Sequence, residues 1–232
     1  MPSLADKANK RVADALPHRA ALERIAPKLP TLGTVIDVGA AKGGWSSDAI
    51  KHWPDAHYHL IEAKTSWRRD LEKFVKNHGG PEKITLCEAA ASDEVGTIYF
   101  PADGDAYGGA AFKEETARDD LTAMPATTID HEVAENGLKG PFALKLDTHG
   151  TEVDILNGAK ETLKDTHLIC IETYNFIGQQ RFPTMLVYLQ KLGFRVTDIA
   201  EPLFRQSDAS LWQLDFYLFH KDHPSFANLA FE

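Results

Sequence analysis

Cysteine is scarce in this chain: Cys87 and Cys170 are the only two among 232 residues. Each lies inside an apolar, strand-like run without the paired spacing of a zinc site. Both therefore read as buried free thiols and fit a reducing compartment. Long apolar runs are missing too. The polar start, Met1 to Asp14, holds no secretory apolar core, and nowhere is there the stretch of about 20 apolar residues that a spanning helix needs. The expectation is a cytoplasmic protein with no membrane span. Positive charge is in deficit, with 25 Lys and Arg against 34 Asp and Glu for a net −9. That balance argues against nucleic acid as a partner, because phosphate backbones are held by clustered cations. Repeats, low-complexity tracts and linkers are absent, and this length with 43% hydrophobic residues suits one α/β domain over 1–232.

Residues 4–28 carry apolar side chains at helical spacing, interrupted by Pro17, which predicts two short helices forming a cap over residues 1–30. Alternating units follow: strand 34–38, helix 44–52, strand 57–62, helix 66–77 and strand 83–90. Residues 97–130 break the rhythm as an inserted hairpin or lid, with an edge strand at 97–100, a turn-rich loop bearing Tyr107 and Phe112, and a short strand at 126–130. Alternation resumes with strand 142–147, helix 152–164, strand 167–173, helix 183–192, and strands 194–199 and 213–219. No helix separates the last two strands, so the terminal strand is free to run antiparallel. The expected fold is doubly wound, Rossmann-like α/β: a mostly parallel seven-stranded sheet with an antiparallel edge strand, helices on both faces and an N-terminal helical cap.

Two places concentrate chemistry. In the first, Val35-Ile-Asp-Val-Gly-Ala-Ala-Lys-Gly-Gly-Trp-Ser46, a buried-strand pattern ends in small residues and becomes helical. Gly39, Ala41 and Gly43 allow a sharp turn and close approach to a nucleotide-like cofactor, Asp37 is the polar exception at the strand's carboxyl end, and Glu62 on the next strand can bond ribose hydroxyls. Ser92 and Asp93, after the third strand, can meet an adenine ring. A dehydrogenase of the Tyr-x-x-x-Lys type is disfavoured, because Tyr217 and Lys221 fall on a strand, about 13 Å apart rather than one helical turn. The second place runs from Lys145-Leu-Asp-Thr-His-Gly-Thr-Glu152 to the strand ending in Glu172. Neighbouring strands deliver carboxylates to one rim there. Asp147 and Glu172, with either His149 or Asn175, can hold a hard divalent cation such as Mg or Mn. Alternatively His149 takes a hydroxyl proton directly, its ordinary pKa of ~6.5 suiting a base near neutral pH.

These blocks, with Ala90-Ala-Ser-Asp-Glu-Val-Gly96 and the run from Lys145 to Ala159, resemble class I S-adenosylmethionine-dependent methyltransferases of the FkbM type. The resemblance implies that Gly39, Ala41 and Gly43 lie against the methionine moiety, Glu62 binds the ribose, and Ser92 and Asp93 border the adenine. FkbM-like chains typically carry aspartate, a small residue, glutamate and glycine where this chain has Asp147, Thr148, His149 and Gly150. The expected activity is O-methyl transfer to a small-molecule or glycan hydroxyl, with Asp147, His149 and Glu172 as catalytic residues. Trp45, Tyr174 and Phe176 are candidates to stack on the acceptor. The rival readings are a nucleotide-dependent oxidoreductase and a noncatalytic binding module.

Overall fold

The structure, a computed structural model, describes residues 10, 16–101, 121–176, 181–228 and 230. After a short helix α1 (His18–Ile25) come β1 (Thr34–Val38), α2 (Gly44–Ala49), β2 (His57–Ile61), α3 (Arg68–Asn77) and β3 (Ile84–Cys87). Then follow β4 (Ala90–Ala91), β5 (Gly96–Pro101), β6 (Leu121–Thr127), α4 (Ile129–Glu135), β7 (Phe142–Leu146), α5 (Glu152–Asn157) and β8 (Thr166–Tyr174). The chain closes with α6 (Phe182–Lys191), β9 (Phe194–Phe204) and β10 (Leu211–His220). Seven strands form one sheet in the order β3-β2-β1-β7-β8-β10-β9. Pairing is parallel from β3 through β8, and β10 runs antiparallel to both β8 and β9, so the reversed hairpin makes one edge.

Strand parity sorts the core onto two faces. Val35, Tyr58, Leu60, Leu168 and Tyr217 pack against Leu22 and Ile25 of α1, Trp45 of α2, and Leu71 and Phe74 of α3. Ile36, Val38, Leu144, Leu146 and Ile171 pack on the other face against Ile129 of α4, Ile155 and Leu156 of α5, and Met185 and Leu189 of α6. The expected doubly wound sheet is thus observed, with helices on both faces.

Among the differences from the sequence reading, three change the order or kind of element. The run expected as strand 83–90 splits: β3 ends at Cys87, and Ala90–Ala91 leaves for a separate sheet ordered β4-β6-β5. The strand expected at 126–130 stops at Thr127, and α4 starts at Ile129 because Thr128 caps it, its side chain accepting from the His131 amide with Asp130 and Glu132 in the first turn. The β-branched Thr127, Thr128 and Ile129 concealed that cap. The helix expected over 152–164 stops at Asn157, before Gly158. Most of the helix expected before Pro17, and the loop with Tyr107 and Phe112, lie outside the described residues.

Gly158 is where the end of α5 meets the smaller sheet, since an added Cβ would stand 2.2 Å from the Ser92 carbonyl oxygen and 3.1 Å from Thr128 Cβ. Gly158→Ala is expected to cost about 1–3 kcal/mol as the Ser92 backbone shifts. Urea denaturation measures this, and an unchanged midpoint would show that the contact yields freely.

Candidate active site

The carboxyl ends of β1, β2, β7 and β8 assemble the site. Past β1 the chain enters the left-handed region at Gly39 (φ 78), Ala41 (φ 47) and Gly43 (φ 76). Gly39 has to be glycine for a second reason: a Cβ there would lie 2.0 Å from the Asp147 carbonyl oxygen. The turn is tied to the next strand, with Gly39 N donating to Ile61 O at 2.9 Å and Ala41 N donating to Glu62 Oε2 at 2.8 Å. Glu62 Oε1 also accepts from Lys64 N at 2.7 Å. An ionised carboxylate has about four acceptor sites, so Glu62 keeps capacity for ribose hydroxyls while it pins the turn. Burial raises its pKa, against the two backbone donors. Asp37 lies beneath the turn, 2% exposed, and accepts from Ser46 Oγ at 2.6 Å. Burial pushes its carboxyl up to about 6, with the Ser46 bond opposing. Its contact fastens α2 to β1. Ser92 and Asp93 follow β4, where Ser92 N donates to Thr127 O and Ser92 Oγ donates to Asp93 Oδ1 at 3.1 Å.

At the second rim, Asp147, His149 and Glu172 come together: each offers a ligand atom, and these lie within 4.8 Å of one another. His149 has φ 56, in the left-handed region that few residues other than glycine enter, in the turn between β7 and α5. Glu152 of α5, fully buried, holds that turn by accepting from Thr148 N at 3.1 Å, Thr148 Oγ1 at 3.0 Å and Gly150 N at 3.2 Å. Its sequence signal, an acid opening a helix, suggests only a favourable charge at the helix end. His149 Nδ1 lies 2.7 Å from Glu172 Oε2 and contacts the Tyr174 hydroxyl, which donates to the same Glu172 oxygen. His149 Nε2 lies on the Asp147 side, 3.8 Å from Oδ1. Burial disfavours the charged ring, but the bond and charge of Glu172 with the charge of Asp147 prevail, and its pKa moves up from 6.5. Of the two side chains weighed for a metal's third position, His149 stands with the carboxylates, whereas Asn175 Nδ2 donates to Leu211 O at 3.1 Å.

Beneath this rim is a buried network that sequence reasoning missed. Lys145, 1% exposed, reaches Asp147 Oδ2 at 3.1 Å and Asp215 Oδ2 at 3.3 Å. His18 Nε2 lies 3.3 Å from that same Asp215 oxygen, and His18 Nδ1 lies 2.8 Å from the Tyr217 hydroxyl, which accepts from Trp45 Nε1 at 2.9 Å. Trp45, offered above as an acceptor platform, is therefore a core residue bonded inward. Burial and the nearby Lys145 charge lower His18 to about 3, leaving it neutral at pH 7. Burial pushes Asp215 up to about 7 against the pull of Lys145, while Lys145 and His149 hold Asp147 below its ordinary value despite burial. The available signals were charged residues in otherwise apolar strands, Lys145 in β7 and Asp215 in β10.

A glycine turn tied to an acid at the neighbouring strand tip, on a doubly wound sheet with a reversed terminal hairpin, defines a class I S-adenosylmethionine-dependent methyltransferase. The methyltransferase FkbM domain matches residues 37–196, well over half of the chain, and the chain belongs to that family. No protein with a curated description matches it. Three solved structures illustrate its structural likenesses. The 1,6-didemethyltoxoflavin N1-methyltransferase of Burkholderia thailandensis, with its substrate and S-adenosylhomocysteine bound, is 12% identical with a TM-score of 0.48, covering 88% of this chain and 78% of its own. An rRNA methylase of Streptococcus thermophilus is 12% identical with a TM-score of 0.49, covering 87% and 94%. The precorrin-6y C5,15-methyltransferase of Geobacter metallireducens is 11% identical with a TM-score of 0.47, covering 87% and 86%. Among the described residues no helix is long and apolar enough to cross a membrane.

Removing the Lys145 ammonium takes the cation from the buried Asp215 and from the partly exposed Asp147. Lys145→Met is expected to destabilise the fold by about 3–5 kcal/mol, with partial recovery when Asp215→Asn is added. Chemical denaturation of the single and double variants checks this, and a wild-type midpoint for Lys145→Met would refute it.

Proposed function

We propose that the protein is an O-methyltransferase acting in the cytoplasm on a hydroxyl of a small-molecule or glycan acceptor. One observation carries this reading: His149, flanked by Asp147 and Glu172, stands on the strand-end rim whose Asp147 carbonyl backs the Gly39 turn. S-adenosylmethionine supplies an electrophilic methyl on a sulfonium, and Gly39, Ala41, Gly43, Glu62, Ser92 and Asp93 are the residues assigned to hold it. The chain's own task is to orient a hydroxyl and take up its proton. Glu172 and Tyr174 hold Nδ1, and Nε2, on the Asp147 side, is the atom assigned to receive that proton. The glutamate and aspartate on either side stabilise the imidazolium that results. The net charge of −9, with acids at the rim, favours a small or glycan acceptor over nucleic acid.

His149→Ala is expected to lower kcat by about 100-fold or more while S-adenosylhomocysteine affinity, measured by calorimetry, stays within about twofold. An unchanged rate removes His149 as the base. The base works neutral and its pKa is raised, so kcat/KM of the wild type is expected to climb with pH through a value above 6.5. A flat profile between pH 6 and 9 would count against it.

The mutual proximity of Asp147, His149 and Glu172 favours a second reading, in which they ligate Mg or Mn and the ion acidifies the acceptor hydroxyl. Turnover that stops with a chelator and returns with either ion assigns the metal. Turnover that persists after exhaustive chelation excludes it.

A further inference from the structure

Beyond Tyr174 the rim continues into an aromatic cluster. Phe176 is 44% exposed, its ring stacks with Trp212 at 5.5 Å between centroids and 23° between planes, and the Arg205 guanidinium lies 4.0 Å over it. The cluster stands at the ends of the strands that carry the rim: Gln213 pairs with Tyr174, which contacts His149, and Asn175 N donates to Trp212 O at 2.8 Å. Two residues separate the Phe176 and Tyr174 backbones by at most about 7 Å. Arg205 is held in place, with Nε and Nη2 donating to Ser210 Oγ at 3.2 and 3.0 Å and Nε 3.2 Å from Asp208 Oδ1. Ser210 Oγ donates in turn to Asp208 Oδ1 at 2.7 Å.

This arrangement has a definite chemical complement. Partly exposed aromatic rings suit a ligand with an apolar C–H face, and a fixed guanidinium beside a carboxylate offers adjacent donors and acceptors to paired hydroxyls. Because Asp208 balances Arg205, and Asp147 and Glu172 stand nearby, the surface does not favour an anionic ligand. We propose that Phe176, Trp212 and Arg205 form the acceptor seat, and that the group it takes is a neutral sugar ring whose hydroxyl is presented to His149. This rests on the methyl-transfer reading and narrows its acceptor class.

The test is saturation-transfer NMR on the full chain with S-adenosylhomocysteine present. The probes are the methyl glycosides of glucose, galactose and rhamnose at millimolar concentration, with glucose 6-phosphate as the anionic comparison. Ring protons of at least one neutral glycoside are expected to saturate, and glucose 6-phosphate to saturate less. Phe176→Ala and Trp212→Ala are expected to weaken the sugar by about tenfold each, with S-adenosylhomocysteine affinity kept within about twofold. Arg205→Gln supplies a milder variant with both rings intact and the same expected direction. The proposal is overturned if none of the three glycosides binds while S-adenosylhomocysteine does, if glucose 6-phosphate binds best, or if sugar binding survives all three substitutions. Failure to bind S-adenosylhomocysteine would sink the methyltransferase reading instead.

Discussion

A single ammonium buried under the rim constrains this molecule more than any other charge. Lys145 lies within β7 at 1% exposure, where an isolated cation would cost several kcal/mol, so its surroundings have to supply negative charge at short range. They do so from two directions, Asp147 just past the end of the same strand and Asp215 on the reversed strand β10. Asp215 then meets His18 at the start of α1, and His18 and Trp45 converge on the Tyr217 hydroxyl. The helix before the first strand, the helix after the glycine turn and the reversed strand are thereby fastened to the strand that carries the rim. Because Lys145 and His149 keep Asp147 ionised, the network also sets the charge available at the site.

The two chemical motifs are coupled by backbone as well. Gly39 and Asp147 are far apart in sequence, yet the space a Cβ of Gly39 would fill is taken by the Asp147 carbonyl oxygen, and Asp147 N donates to Val38 O at 3.0 Å. Parallel pairing of β1 with β7 brings both strand ends to the same level, Val38 opposite Leu146. In-line methyl transfer is sensitive to small displacements of the reacting groups, so a rigid backbone contact between the glycine turn and the Asp147 rim suits the proposed reaction.

Much of the fold was legible in the sequence, because apolar runs such as Val35-Ile36 and Leu168-Ile-Cys-Ile171 read as strands buried on both faces, with helical spacing between them. The rim was legible for the same reason: Asp37, Asp147 and Glu172 each stand out near the end of an apolar run. What stayed hidden depends on partners distant in the chain. Lys145 and Asp215 look like defects in their strands until each is placed near the other, and nothing local in Pro17-His18 indicates a bond to β10. Helix α4 was hidden by local ambiguity, since Thr127-Thr-Ile129 satisfies β propensity while the Thr128 cap acts in the opposite direction. Trp45 was open to two readings, ligand platform or core, and its indole N–H bond to Tyr217 decides for the core.

The departure at His149 now has a physical sense. A third carboxylate between Asp147 and Glu172 would add repulsion where two acids already converge, whereas an imidazole donates a hydrogen bond on one side and takes charge stabilisation from both. Its backbone is held at φ 56 by the turn that Glu152 organises, so the ring is fixed without help from a bound acceptor. The same acids that stabilise the imidazolium raise the pKa of His149, so the ring becomes a stronger proton acceptor but is neutral over a narrower range of pH. The proposed reaction uses such a base at the moment a weakly acidic hydroxyl attacks, and a neutral sugar, unlike a phosphorylated one, is not repelled by the flanking carboxylates.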